Sequence, residues 1–245
     1  MKINKILEYL EKLAPVELAE EWDNVGLLVG RDGEEITKIL VCLDFSESIL
    51  KQAINEKCEM IVTHHPVIFK PLKTLTNPLL LKAVPNNICV YSCHTNLDNA
   101  DGGVNEALSE KLKLSDVEKD EMLRFGNLPS EMSAEEFFEH IKKSLGVPAL
   151  RVNNVRKNIK KVGVLGGSGA DFLELAVKNS CDAFVTGEAS YHVSQAAENY
   201  GIVLVCAGHF ETEVHIVPVL AEKIRKEFTE LSVIEGDCEN PFQIF

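Results

Sequence analysis

Apolar and polar positions run along the chain in blocks whose spacing changes from helical to extended and back. The first block, MKINKILEYLEKLAP, sets Ile3, Ile6, Leu7, Leu10 and Leu13 three or four residues apart with acids between them, which predicts an amphipathic helix. KILVCLDFSESILKQAINEKCEMIVTHH then reads as strand, turn, helix and strand. Its apolar run 39–43 is followed by a Ser46 cap, by helix-spaced Ile49, Ala53 and Ile54, and by a second apolar run that ends at His64. This is the pattern of a parallel βαβ unit.

The same pattern returns in KVGVLGGSGADFLELAVKNSCDAFVTGE, at a constant offset of 123 residues. Lys38/Lys161, Val41/Val164, Leu50/Leu173, Ala53/Ala176, Cys58/Cys181, Val62/Val185 and Thr63/Thr186 are identical at that offset, and Ile39/Val162 and Glu59/Asp182 are similar. A further apolar strand ending on a histidine follows each copy, NICVYSCHTNLD in the first and GIVLVCAGHFETE in the second. His94 precedes Asp98 by four residues and His209 precedes Glu213 by four, so the two histidines are expected to be equivalent. The fold class is α/β, with two related α/β domains. The polar stretch KLSDVEKDEMLRFGNLPSEMS places their divide at 123/124, giving domains 1–123 and 124–245, with a helix over 133–145 opened by SAEE. After His215, the helical pattern VLAEKIRKEF and the end NPFQIF can pack on either half, so the first domain is open to completion by this segment.

Composition narrows the class. A charged fraction of 26% and a hydrophobic fraction of 45% are those of an ordinary globular chain, and 245 residues bury a core without staples. A net charge of −13 opposes attraction to a phosphate backbone, so nucleic acid is disfavoured as a partner. The seven cysteines form no C-x-x-C pair and sit in apolar runs, which reads as buried thiols in a reducing cytosol; the spacing of Cys89 and Cys93 is only a weak metal signal. The N-terminus is unlike a signal peptide and no window approaches a membrane span, so a cytoplasmic protein with no membrane partner is expected.

The unusual histidines all fall where ligands gather in parallel α/β sheets, at the carboxyl ends of strands. His64 and His65 would point to opposite faces in a regular strand, but Pro66 marks a place for a bend, and two adjacent histidines suit two adjacent ions. With Asp98, His209 and Glu213, imidazole and carboxylate are the donors, which suit zinc, manganese, iron or cobalt. If His209 opens a helix, Glu213 shares its face. His94 fits a role beside the ligands or in proton transfer. GEASYH offers His192 as a general acid or base, with a structural histidine as the rival. In GGSGAD, the backbone of Gly167, Ser168 and Gly169 either cradles a phosphate or makes a tight turn. Trp22, Asp23 and Asn24 form either a polar lip that contacts substrate or the surroundings of a buried tryptophan that anchors the first helix. His140 and His215 read as structural.

EEWDNVGLLVG, VTHHPVIF, CHTNLDNADGGVNEAL, GGSGAD, VTGEASYH and GHFETE, in that order, resemble the Nif-three-like family, also known as GTP cyclohydrolase 1 type 2 homologues, nearly from end to end. The resemblance implies a dinuclear metal centre between two α/β domains, at strand C-terminal ends, and a homohexameric ring. It implies two divalent ions per chain, one held by His64 and Asp98, the other by His65 and His209, with Glu213 bridging. Some members carry an inserted domain for which this chain has no room. The activity implied is hydrolysis of a small nucleotide-like substrate, namely opening of the GTP imidazole ring with formate release. The residues themselves say two-metal hydrolysis, and the alternative is a metal-binding or regulatory ring assembly without turnover.

Overall fold

The computed structural model describes residues 1–30 and 33–243. In chain order its elements are α1 (Ile3–Leu13), β1 (Gly26–Val29), β2 (Lys38–Cys42), α2 (Glu47–Glu56), β3 (Met60–Thr63), α3 (Pro78–Ala83), β4 (Cys89–Ser92), α4 (Thr95–Asn99), α5 (Val104–Lys111), β5 (Ser115–Asp120) and β6 (Leu123–Met132). There follow α6 (Ala134–Leu145), β7 (Arg151–Val152), β8 (Ile159–Leu165), α7 (Leu173–Lys178), β9 (Ala183–Thr186), α8 (Tyr191–Tyr200), β10 (Val203–Cys206), α9 (His209–Glu213), α10 (Ile216–Glu227) and β11 (Ser232–Glu235). The chain divides into two compact units. The first comprises Met1–Gly103 and Ile216–Glu239, the second Val104–His215 and residues 240–243.

In the first unit the sheet order is β1-β4-β3-β2-β11, with β4, β3, β2 and β11 parallel and β1 antiparallel on the edge. Ser46 Oγ accepts the Ile49 N–H at the start of α2, and Lys57 ends the helix in the left-handed conformation at φ 59°. Ile49, Leu50 and Ala53 bury against Leu40, Cys42 and Ile61 of the sheet, each large side chain contributing about 1.5–3 kcal/mol. Ile54, although helix-spaced in the sequence, turns to solvent. In α1, Ile3, Ile6 and Leu10 are the buried face.

The second unit has the order β5-β6-β8-β9-β10-β7, with β8, β9 and β10 parallel. Val162, Val164, Val185, Val203 and Val205 pack under α6 and α5, while Phe184 and Leu204 pack under α7 and α8. With both faces covered, β9 is the continuous run Ala-Phe-Val-Thr, buried throughout, instead of an alternation. Ser133 and Glu136 form a reciprocal capping box on α6.

The repeat has a physical basis beyond hydrophobic pattern. Glu59 Oε2 accepts the N–H groups of Thr37 and Lys38 at 3.1 and 2.8 Å, and Asp182 Oδ2 accepts those of Lys160 and Lys161 at 3.0 and 3.0 Å. Each carboxylate stands just before the second strand of its unit and clamps the entry of the first. Glu59 N–H returns a bond to Lys38 O, and Asp182 N–H to Lys161 O. The strand register repeats too, Ile39 opposite Met60 and Val162 opposite Ala183.

Three expectations are corrected. The division falls at 103/104 and not at 123/124, because Leu108 and Leu112 pack with the valines of β8, β9 and β10, and β6 pairs with β8. The polar stretch expected to separate the halves is an antiparallel ribbon: β5 is an exposed, charged edge strand, and β6 buries Leu123, Arg124 and Phe125. Of the C-terminal segment, whose place the sequence leaves open, Ile216–Glu239 completes the first unit, where β11 lies parallel to β2 with Ser232 opposite Lys38. Finally, His94 and His209 are not equivalent. Met60 pairs with Cys89 and Ala183 with Val203, so His94 corresponds to Gly208 and His209 to Thr95.

Burial raises the Glu59 and Asp182 pKa values, but the hydrogen bonds they accept outweigh it and hold both below the ordinary range. The native state therefore favours the ionised form, and the stability this supplies is present above the ordinary carboxylate pKa and lost as pH falls through the lowered one. Glu59→Gln and Asp182→Asn should each cost about 1 kcal/mol near neutrality, given the partial exposure of both groups. In urea unfolding followed by circular dichroism, that gap should close as the pH is lowered below 4; a gap independent of pH would refute the clamp.

Candidate metal centre

In the first unit the parallel ladder runs two residues past β3: His64 N–H donates to Cys42 O at 3.2 Å and His65 N–H to Leu43 O at 3.0 Å. Buried Thr63 secures the end of the strand through hydroxyl bonds to His65 O and Ser92 Oγ, both 2.8 Å. The two imidazoles come to lie side by side, ring centroids 4.9 Å apart and planes at 43°. His64 Nδ1 is 2.8 Å from Cys93 O. A carbonyl only accepts, so Nδ1 carries the proton and Nε2 is the lone-pair nitrogen. His65 Nδ1 is likewise 2.7 Å from Asp44 Oδ1. Asp98, on α4, sets Oδ1 3.7 Å from His64 Nε2, beyond hydrogen-bond range but near enough to share a cation.

His94 closes this group, with ring nitrogens of His64, His65 and His94 within 4.8 Å of one another. Its Nδ1 lies 2.9 Å from Asp23 Oδ1, and Asp23 also accepts from the N–H and hydroxyl of Thr95. Burial raises the Asp23 pKa, but these bonds, led by that from His94, bring it down to about 2. Asn24 donates from Nδ2 to Ile68 O. Trp22 is 57% exposed, which replaces the reading of it as a buried anchor.

In the second unit, Gly208 at φ 98° turns the chain from β10 into α9. His209 and Glu213 share a face of that helix, Nε2 to Oε2 3.2 Å. His209 Nδ1 faces Glu188 Oε1 at 3.0 Å, and Ser168 Oγ donates to the same oxygen at 2.7 Å. The bonds from Ser168 and His209 lower the Glu188 pKa. The Glu213 side chain is 5% exposed. Gly167 makes its approach possible: at φ 58°, a Cβ there would collide with Glu213 Oε1. Gly167 N–H donates to Thr212 Oγ1 and Gly166 N–H to Asn105 Oδ1, so the glycine turn grips α9 and the rest of its own unit. Gly169 packs on Leu165. His192 is exposed in the first turn of α8, where its ring lies 5.8 Å from Tyr191, and it joins neither group among the described residues.

Histidines oriented through Nδ1 by a carboxylate or carbonyl, with Nε2 turned to further donors, are how proteins hold transition-metal ligands. Nitrogen and carboxylate oxygen suit zinc, iron, manganese or cobalt, and the residues fit such ions. Asp44 and the Cys93 carbonyl escaped sequence reasoning. Asp44 ends the strand beside that of His65, a placement a search of neighbouring strand ends would find; a backbone carbonyl leaves no letter.

Fold and site together define a class: a two-unit α/β protein that gathers histidines and carboxylates able to hold divalent metal at the ends of its parallel strands. The chain matches the model of the Duf34/NIF3 (NGG1p interacting factor 3) family over residues 1–241, and it belongs to that family. A Clostridium perfringens protein named GTP cyclohydrolase 1 type 2 homolog is 35% identical over 260 residues, 99% of each chain. Helicobacter pylori GTP cyclohydrolase 1 type 2 is 37% identical over 250 residues, 99% of this chain and 98% of its own. The crystal structure of a Bacillus cereus protein related to NIF3 shares the fold at a TM-score of 0.94, with 22% identity, over 100% of this chain and 99% of that one. No helix among the described residues is long and apolar enough to cross a membrane.

Gly187 is where the second site is least tolerant, because a Cβ there would meet Gly167 O at 2.5 Å and His209 Cα at 2.8 Å, backbone on both sides. Gly187→Ala should cost about 1–3 kcal/mol through forced backbone shifts. Thermal unfolding that leaves Tm unchanged would show that the turn yields freely.

Proposed function

We propose that the protein is a dinuclear, divalent-metal-dependent hydrolase of a small nucleotide-like molecule, and that the molecule is GTP, opened at its imidazole ring with release of formate. The observation that carries this reading is the common orientation of His64, His65 and His209, each held at Nδ1 by a fixed acceptor. The names of the relatives supply the substrate. Following the family resemblance, His64 and Asp98 would hold one ion, His65 and His209 the other, and Glu213 would bridge. Two divalent cations supply Lewis acidity and ionisation of water near neutral pH. The chain's own residues do the rest. Asp23 fixes His94 by a single hydrogen bond, so that His94 keeps one ring nitrogen for proton exchange beside His64 and His65. His192 is the second candidate for proton transfer. Asp23 and Asn24, with Gly167, Ser168 and Gly169, are the proposed substrate contacts. The proposal includes, on the same resemblance, a homohexameric assembly in the cytoplasm.

Formate release from GTP by protein loaded separately with zinc, manganese, iron and cobalt tests the activity; full metal content with no formate in any form would favour a metal-binding or regulatory assembly. Ligand roles are separable by metal titration in a calorimeter. Glu213→Gln should weaken both ions together, since a bridge lost between cations roughly 3.5–4 Å apart leaves them to repel. Asp98→Asn should weaken one more than the other, and His64→Ala should remove about one equivalent without unfolding the chain. If Glu213→Gln loses one ion and Asp98→Asn loses both, the two carboxylates exchange roles.

A further inference from the structure

Large aromatic rings normally spend their area in cores, yet Trp22 and Phe69 are 57% and 46% exposed and lie side by side, centroids 5.6 Å apart. They are held firmly. Glu20 N–H donates to Thr95 Oγ1 at 3.0 Å, Asp23 accepts from Thr95 and His94, and Asn24 bonds the carbonyl of Ile68, next to Phe69. The loop that carries Trp22 is thus tied both to the start of α4 and to the segment that carries Phe69. His94 stands edge-on to both rings, at 6.1 and 6.3 Å with planes at 72° and 70°. Its own ring lies 5.3 Å from that of His64 and 5.6 Å from that of His65. A row of aromatic surface therefore leads from solvent to the candidate metal ligands.

We infer that Trp22 and Phe69 form a stacking subsite for a planar heteroaromatic ring of the substrate, beside His94. This rests on the reading of the site as one for a nucleotide-like molecule and adds where its base lies. Ring faces that are exposed yet already fixed lose little further freedom when a flat ring covers them, and every nucleobase offers a π face to do so. The contact assigns the base to the Trp22 side of His94 and makes these two residues determinants of preference for aromatic over purely phosphorylated ligands.

Trp22 is the single tryptophan of the chain, so its fluorescence reports on this place alone. Full-length protein, metal-loaded and chelated, is titrated with guanosine, GTP and ATP, with inorganic tripolyphosphate as the ring-free control and free tryptophan to correct for absorption. Saturable quenching by the compounds that carry a base, and none by tripolyphosphate, is expected. In equilibrium dialysis, Trp22→Ala and Phe69→Ala should each bind GTP roughly five-fold or more weakly, Trp22→Phe should retain most of the affinity, and metal content should be unchanged in all three. The inference is overturned if guanosine and the nucleotides leave Trp22 emission unchanged, or if both alanine variants bind GTP as the parent does. Emission that follows protein concentration and not ligand would overturn it too, marking the face as a contact between copies of the chain. Quenching by GTP without formate release would leave the subsite standing and refute only the proposed reaction.

Discussion

The hydrogen bond at Nδ1 of each candidate ligand histidine is the constraint from which the site follows. Its acceptors are the Cys93 carbonyl at the end of β4, Asp44 at the end of β2 and Glu188 at the end of β9, each on an element next to the one that carries the histidine. The orientation of every ring thus depends on strand register. A slip of one residue would turn each strand's side chains to the opposite face and separate His65 from Asp44. Glu59 and Asp182 hold the register from the far end, by clamping the N–H groups at which β2 and β8 begin. The two carboxylates at one edge of the units and the histidines at the other belong to one mechanical arrangement.

Two copies of one scaffold carry different side chains at equivalent places. By strand register His64 corresponds to Gly187, His65 to Glu188 and Asp44 to Gly167. In the first unit the imidazole comes from the second parallel strand and its carboxylate partner from the first. In the second unit the carboxylate occupies the position of that imidazole, and the histidine arrives from α9. Gly167 and Gly187 explain why the exchange is possible, since a side chain at either would stand where Glu213 or His209 lies. One unit fills these positions with ligands, and the other empties them to admit a helix that brings its own.

Much of this was legible in the letters. Helices announced themselves by spacing and caps, as at Ser46 and Ser133, and the strand-end histidines stood out because apolar runs stopped on them. The polar stretch before Ser133 hid a ribbon because β5 turns charged residues to solvent along its whole length, so no alternation marks it. H-x-x-x-acid made His94 and His209 look alike, but equivalence is decided by how β4 and β10 pair, and connections of different length shift it. The spacing of α10 told of a helix without saying which sheet it would cover, since pairing of β11 with β2 has no local signal. By its letters Trp22 suited a polar lip and a buried anchor equally. It is exposed because Asp23 and Asn24 beside it take the inward positions, bonded to Thr95, His94 and the Ile68 carbonyl.

Charge imposes an order on the proposed reaction. Asp23, Asp44 and Asp98 stand among the histidines of the first unit, and Glu188 and Glu213 beside His209, in a chain of net charge −13. Asp23, at about 2, and the lowered Glu188 stay ionised through any physiological pH. Such a field draws cations and opposes the phosphates of a nucleotide, because like charges a few ångström apart in a partly buried site repel by several kcal/mol. On the proposed reaction, cations would therefore enter before an anionic substrate does and would remain while it is bound. Stacking on Trp22 and Phe69 involves no formal charge, so it keeps its strength whether or not the cations are in place. A neutral nucleoside and its triphosphate should consequently depend on metal loading to different degrees, the triphosphate strongly and the nucleoside weakly, since only the triphosphate has to overcome the anionic field.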